Sequence, residues 1–279
     1  MLPPVSEKQT GVRLFLQTVY GRAFPRLIGL QRERSWLFFD IFMPLLSVFA
    51  YVFVYRAIHA PEEYIGFVVI GGAMTAFWAN ILWSMSSQLY WEKENANLAL
   101  YIMAPAPMMG VLLGMAFGGL VSTTLRAIII VAVGSLLFQV HYVISNLIAL
   151  VGIFLLSMVA LYGMGMMLAS AYLLSGREAW HISSLAQEPI YLVSGFYFPI
   201  KNFSFWIAAI ASIIPLTLGL DGMRQLIFAG GPTLGFLSTS LELGILIGLS
   251  VIFLLGAHFL LAYIEKLAIR EGRLIESKR

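Results

Sequence analysis

Four ionisable side chains in or beside long apolar runs are the residues of this chain that could do chemistry. They are Arg126, Glu188, Asp221 and Arg224. A charge in an apolar segment is costly unless it faces protein, an opposite charge or a water-filled cavity. Asp221 and Arg224 are one helical turn apart and can pair, and Arg126 can pair with Glu188. Two interpretations therefore stay open: these side chains neutralise one another, or they contact a ligand.

Other chemistry is not expected within the chain. A phosphate-binding P-loop needs a Gly-Lys pair, and none of the five lysines follows a glycine. No serine lies in a nucleophile elbow. The four histidines are isolated from one another and form no metal-spaced pair: His59, His141, His181 and His258. We therefore expect no enzymatic activity in this chain, and no metal or cofactor bound to it.

The elements that carry these residues are predicted to be membrane-spanning helices. Of the 279 residues, 60% are hydrophobic and only 11% are charged, and the mean hydropathy is +0.88. A soluble domain of this length needs a charged surface that this composition does not provide. The absence of cysteine excludes disulfides and thiol chemistry. The composition predicts an all-α, polytopic membrane protein.

Six apolar runs are predicted to cross the membrane: 36–55, 64–90, 108–138, 146–173, 183–199 and 240–264. A further apolar run at 203–229 is interrupted by Pro215, Gly219, Asp221, Gly222 and Arg224. We expect this region, 200–230, to form a re-entrant pair of short helices. Such backbone is tolerated only where protein or a cavity covers it.

Small residues recur every fourth position in two of the predicted spans. Gly110, Gly114 and Gly118 open the third span, and Gly244 and Gly248 repeat the spacing in the sixth. This spacing lets helices approach closely. The close contact can be internal or between two protomers.

The distribution of positive charge predicts the orientation. Residues 1–35 combine six basic side chains with apolar residues at spacings of three and four, which predicts an interfacial amphipathic helix bent near Pro25. The chain has 17 Lys and Arg, and most lie in segment 1–35, the 91–107 and 174–182 loops and the basic tail 265–279. The positive-inside rule therefore places both termini and these two loops in the cytoplasm.

A polar segment between the second and third spans is the strongest local signal. It is predicted to form a short, stiff surface helix over 91–104, with an acid-rich first turn and a stop before Pro105. The residues expected to contact a partner are Trp91, Glu92, Lys93, Glu94, Asn95, Asn97, Leu98 and Tyr101. A membrane protein without its own ATPase could take force from a partner through such a helix.

Two motifs, in order, resemble the ABC-2 type permeases, the transmembrane subunits of ABC exporters. The first is Glu92-Lys93-Glu94 followed by the Leu-rich stretch from Leu98 to Pro105. The second is the series Ser194-Gly195-Phe196-Tyr197-Phe198-Pro199, Ile214-Pro215-Leu216-Thr217 and Asp221-Gly222-Met223-Arg224. The resemblance departs at Ala96-Asn97, where relatives have Gly-Thr, at Ala99, where they have an acid, and at Ile214, where they have Asn.

The resemblance implies a role for each region. Segment 91–104 would be the coupling helix that contacts an ATPase subunit. Residues Gly195, Pro199, Pro215 and Thr217 would belong to the outer re-entrant helices, and 36–264 would be the transmembrane domain between the N-terminal segment and the tail. The function implied is a permease that exports a drug, lipid or glycan across the cell membrane.

The same resemblance implies the partners. They would be two ATPase subunits that carry ATP and Mg²⁺, a second permease subunit and the lipid bilayer, without nucleic acid. Two alternatives from other classes stay open. An ion-coupled secondary transporter would want polar clusters and broken helices in both halves, and a membrane-embedded enzyme would want facing His, Asp or Glu side chains.

Overall fold

The structure, a computed structural model, describes residues 11–32, 34–104, 106–175, 178–228 and 235–271. The first ten residues, Arg177 and the tail beyond residue 271 lie outside the described residues, so the expectations for them stay predictions. The described residues form α-helices and no strands: α1 (Val12–Arg32), α2 (Arg34–Ala57), α3 (Glu63–Ala79), α4 (Gln88–Glu94), α5 (Asn97–Met103), α6 (Met108–Phe138), α7 (Leu147–Ser175), α8 (Glu178–Val193), α9 (Phe205–Ala211), α10 (Pro215–Ile227) and α11 (Thr239–Glu271). The all-α prediction is confirmed.

Within the part of the chain that the structure describes, five helices are long and apolar enough to cross a membrane: Leu37–Ala57, Glu63–Glu94, Met108–Phe138, Leu147–Leu174 and Thr239–Leu267. They coincide with five of the six predicted spans. The second is extended by a π-helical turn, Asn80–Met85, which joins α3 to α4. The chain is therefore a multi-pass helical membrane protein.

The fifth predicted span, 183–199, is different. Helix α8 begins earlier, at Glu178, and ends at Val193, so its 16 residues are about 24 Å long, less than the roughly 30 Å of a bilayer core. The helix stops there because Gly195 adopts φ +78°, a left-handed conformation that glycine adopts without steric cost. The predicted end at residue 199 was wrong.

The bundle has two ends. The near end carries residues 95–104, 106 and 107, and the far end carries residues 58–62 and 139–146. Helix α3 lies at the centre, with Phe67, Val68 and Phe77 buried. Its neighbours are α2, α6 and α10, while α7 packs against α10 and α11.

Helix α1 packs lengthwise on the first turns of α6. A Cβ added to Gly110 would lie 3.3 Å from Phe15, one on Gly114 would lie 2.5 Å from the carbonyl oxygen of Val19, and one on Gly118 would lie 3.2 Å from Arg26. The glycine spacing in α6 therefore serves an internal contact. In α11, by contrast, a Cβ on Gly244 or Gly248 would meet nothing within 4 Å.

The face of α1 turned away from α6 is apolar. Five large apolar side chains recur there every fourth residue and are exposed: Val12, Leu16, Tyr20, Phe24 and Ile28. This pattern is that of an amphipathic helix with one face on protein and one on lipid. Helix α1 continues through Pro25 without interruption.

The predicted single helix over 91–104 is two helices. Helix α4 ends at Glu94, the chain turns at Asn95 and Ala96, and α5 begins at Asn97. The turn forms because Ala96 adopts a left-handed conformation, φ 59° and ψ 11°, which is uncommon for a residue with a Cβ. Glu92 and Glu94 therefore lie in the last turn of a helix, where the macrodipole disfavours acids. The predicted acid-rich first turn was wrong.

Helices α9 and α10 form a sharply bent pair at the far end. Their axes differ by 108°, and Pro215 occupies the first turn of α10, where its missing N–H is harmless. The end of α10 is bound to the 139–146 connection, because Val143 N donates to Ile227 O at 2.8 Å and Ser145 N donates to Leu226 O at 2.9 Å. The start of α9 also lies at this end, since the rings of Phe205 and Phe236 are 6.1 Å apart. Helices α9 and α10 thus enter and leave at the same end.

Candidate functional site

One buried carboxylate joins three helices at the near end. Glu92 is only 6% exposed, and its oxygens accept hydrogen bonds from four side chains. Gln88 Nε2 donates at 2.9 Å, Asn97 Nδ2 at 3.1 Å, the Tyr101 hydroxyl at 3.3 Å, and an Arg22 guanidinium nitrogen completes an ion pair. We call this cluster the Glu92 node. It ties α4 to α5 across the Ala96 turn, and both to α1.

Two arginines fasten α1 to the long helix formed by α3, the π-helical turn and α4. Arg22 binds Glu92 and its guanidinium carbon lies 5.0 Å from the centroid of the Tyr101 ring. One turn further along α1, Arg26 donates to the hydroxyl of Ser84. Charge-assisted hydrogen bonds are the strong ones, so α1, α4 and α5 are expected to move as one unit.

Tyr101 is a neutral donor in the Glu92 node. Burial raises the pKa of its hydroxyl; Arg22 opposes that shift, and the Glu92 carboxylate adds to it. Tyr101 therefore keeps its proton at neutral pH and donates a hydrogen bond to Glu92. The Glu92 carboxylate is therefore bound by side chains of its own chain. It does not point towards a partner, as the sequence suggested it would.

The outward face of the Ala96 turn contains different residues. Trp91, Glu94, Asn95 and Leu100 are exposed, whereas Leu98 is fully buried. Lys93, Asn97 and Tyr101 are partly buried. We call the four exposed residues the turn face. Of the predicted partner contacts, Trp91, Glu94 and Asn95 are therefore accessible. The fourth member of the turn face, Leu100, was not singled out from the sequence.

A large cavity lies between α1, α2, α3, α6 and α8. Its volume is about 1110 Å³, and its wall mixes charged, amide, hydroxyl and aromatic side chains. The charged members are Arg26, Asp40, Arg126 and Glu188. The π-helical turn contributes Asn80, Trp83 and Ser84 to the same wall. One extra residue in a helical turn redirects side chains, and such turns often occur at functional sites.

Arg126 pairs with a residue that the sequence analysis did not single out. Its guanidinium forms an ion pair with Asp40 of α2, and its other nitrogens lie 3.4 Å from acceptors in the adjacent turn, Ser122 and Thr123. The suggested Arg126–Glu188 pair is thus replaced by Arg126–Asp40. Asp40 is the single acid in the first predicted span. A lone acid in an apolar span needs a partner, and this could have identified it as a candidate.

Glu188 lies on the opposite wall of the cavity, on α8. Its carboxylate is exposed and accepts a hydrogen bond from the neighbouring Gln187 at 3.4 Å. The oxygen of Gln187 in turn accepts from the indole nitrogen of Trp83 at 2.5 Å. Helix α8 is therefore attached to the π-helical turn at the level of Glu188.

Arg224 and Asp221 are directed to different partners. Arg224 is 3% exposed and donates to the carbonyl oxygens of Gly195, Phe67 and Phe196. Asp221 accepts from Phe236 N at 2.7 Å and from Gln225 Nε2 at 3.2 Å. Asp221 and Arg224 therefore do not form the suggested pair within one helical turn, because three backbone carbonyls surround the Arg224 guanidinium.

The other residues of the second motif shape the backbone around Arg224. Gly195 supplies the left-handed turn that presents its carbonyl. Pro199 precedes a short 3₁₀ turn, Ile200–Asn202, Pro215 starts α10 and Thr217 is fully buried. The structure therefore brings Gly195 and Arg224 into contact and gives Pro199, Pro215 and Thr217 positions in the far-end fold.

Comparison with known proteins agrees with this arrangement. The family model described as "ABC-2 type transporter" matches residues 26–228, which is well over half of the 279 residues. The matched range contains the cavity, the Arg224 site and every member of the Glu92 node except Arg22. No curated protein sequence matches the chain.

Proposed function

Because the chain belongs to the ABC-2 type transporter family and is a transmembrane permease subunit of an ABC transporter, we propose that it exports a hydrophobic or amphipathic molecule with force supplied by separate ATPase subunits. The observation that carries this proposal is the Glu92 node. A buried carboxylate that joins three helices beside an exposed turn is suited to transmit displacement, since packed elements shift as units rather than deform.

The path of force starts at the turn face. An ATPase that closes on ATP would push Trp91, Glu94, Asn95 and Leu100, and the Glu92 node would carry the displacement into α1 and α4. Helix α4 continues through the π-helical turn into α3, and this turn lines the cavity. A shift at the near end would therefore change the shape of the cavity wall.

The assembly we propose contains two permease subunits, identical or related, and two ATPase subunits that bind ATP and Mg²⁺. It would lie in the cell membrane with the near end and both termini in the cytoplasm, which the distribution of Lys and Arg supports. An ion-coupled secondary transporter is disfavoured by the family to which the chain belongs.

The experiment separates docking from transmission. A Glu94→Ala/Leu100→Ala variant removes exposed contacts and should reduce co-purification of a P-loop ATPase from the native membrane at least tenfold. Glu92→Gln keeps the turn face but removes the charge that binds Arg22. It should retain the ATPase within about twofold, because docking residues are untouched, yet fail to pass on the effect of ATP.

Transmission can be measured without a known substrate. The chain has no cysteine, so a Cys at Ser47, in the cavity wall, reports accessibility to a thiol reagent with and without ATP. We expect ATP to change the labelling rate in the complex, and Glu92→Gln to abolish the change. Glu62→Ala, at the far end, is the control. Full ATPase retention by the Glu94/Leu100 variant would contradict the docking assignment.

A further inference from the structure

The cavity between α1, α2, α3, α6 and α8 is large enough for a drug-sized molecule. Ligand cavities commonly span about 300 to 1,000 Å³, and this one is about 1110 Å³. Apolar side chains such as Leu37, Phe39, Met43 and Leu192 share its wall with the polar groups. An occupant should therefore be amphipathic, with an apolar body and at least one polar group.

The charges on the wall are unequal in accessibility. Two arginines and two acids line the cavity, so formal charge alone is balanced. However, the Arg126 side chain is only 12% exposed, whereas Asp40, its partner, is 43% exposed. Glu188 is exposed, and Arg26 is partly buried with its guanidinium on Ser84. The charged surface available to an occupant is therefore mainly carboxylate.

Aromatic rings accompany the two carboxylates. Tyr51 and Tyr197 are stacked with centroids 4.0 Å apart, and Tyr191 lies on α8 three residues after Glu188. All three line the cavity, as does Trp83. Faces of aromatic rings attract cations, and quaternary ammonium groups are recognised by such rings together with acids.

We propose that this cavity binds a lipophilic organic cation. Glu188 would be its principal counter-charge, and the aromatic rings of the cavity wall, Tyr191 among them, would surround its apolar body. Asp40 adds negative potential but is committed to Arg126. The proposal deepens the export function above and rests on it for the direction of transport, but cation binding itself needs neither ATP nor an ATPase.

Two ions of nearly equal size and opposite charge test the proposal. Tetraphenylphosphonium and tetraphenylborate would be equilibrated by dialysis with the full chain in lipid nanodiscs, and binding to empty nanodiscs subtracted. We expect saturable binding of the phosphonium, and an affinity for the borate that is at least tenfold lower. Glu188→Gln should weaken phosphonium binding about tenfold, because a nearby opposite charge is lost in a low-dielectric site.

The controls make each outcome informative. Glu62→Gln removes an acid at the far end, outside the cavity, and should leave phosphonium binding within twofold of the unmodified chain. Should Glu188→Gln fail to fold, Tyr191→Leu serves instead, with an expected threefold or greater loss. Equal phosphonium binding by the unmodified chain and the variant, or preferential binding of tetraphenylborate, overturns the proposal. Neither result depends on ATPase docking, so the export function would be judged separately.

Discussion

Gly71, in the middle of α3, makes the closest backbone contact in the far half of the bundle. An ideal Cβ at this position would lie 1.6 Å from the carbonyl oxygen of Phe196 and 2.7 Å from an Arg224 guanidinium nitrogen. Neither neighbour can retreat easily, because Arg224 also holds the carbonyls of Gly195 and Phe67. At the residue scale, this glycine is what allows the 194–199 segment to lie against α3.

Replacement of Gly71 by Ala should therefore destabilise the protein by about 3 kcal/mol or more, the upper range for overpacking of a core. The measurement is the thermal unfolding midpoint of the purified chain in one detergent. Gly152→Ala is the matched control, because a Cβ there meets nothing within 4 Å and alanine favours a helix. Equal midpoints for the two variants would show that Gly71 and Phe196 are not in tight contact in solution.

Individual side chains were only partly predictable from the sequence. Arg126 and Arg224 were recognisable, because charges inside apolar runs must be satisfied. Their partners were not, because Asp40 lies 86 residues from Arg126 and the acceptors of Arg224 are backbone carbonyls, which carry no sequence signal. Glu92 was identified, but whether its carboxylate points inwards depends on α1, and only the three-dimensional packing reveals that.

Arg224 anchors an element, since its guanidinium ties α10 to α3 and to the 194–199 segment. Arg224→Met should leave the Gly195 and Phe196 carbonyls without a donor and cost about 2 to 4 kcal/mol, even after relief of the buried charge. The unfolding midpoint and protease cleavage within 195–204 are the measurements. Asn202→Ala, a change at an exposed position within the same 195–204 region, should alter neither. An unchanged midpoint in Arg224→Met would mean that water replaces the guanidinium.

Elements were predictable where the hydrophobic pattern was continuous. The spans at 108–138 and 146–173 agree closely with α6 and α7, since length and apolarity determine such helices. The division of segment 91–104 between two helices was not predictable, because the break depends on the left-handed φ of Ala96. The family pattern has glycine at this turn, which suits that conformation, and this was the one available clue. The end of α8 was similarly set by Gly195.

At the scale of the whole molecule, the near and far ends should lie on opposite sides of the membrane. The chain contains no cysteine, so single cysteines report sidedness without background. In intact cells, a membrane-impermeant maleimide should label Glu62→Cys and not Asn95→Cys, and the pattern should reverse in inside-out vesicles. The basis is the positive-inside rule. Labelling of both from one side would overturn the proposed topology.

Of all these features, the overall architecture could be predicted best from the sequence, and the cavity could be predicted least. Composition sufficed for a polytopic helical protein, because too few charges exist to cover a soluble surface. The cavity combines residues from α1, α2, α3, α6 and α8, and no local pattern marks it. Its four charged side chains each come from a different helix.

The close contact at Gly71 has a mechanical consequence for the long helix Glu63–Glu94. Held there, the helix is a lever with its fulcrum at Gly71 and an arm of about 35 Å to Glu94, at 1.5 Å per residue. A tilt of about 5° would carry Glu94 through about 3 Å, and the cavity wall at Trp83 through about half of that. Force applied at Glu94 would reach the wall roughly doubled, with travel roughly halved.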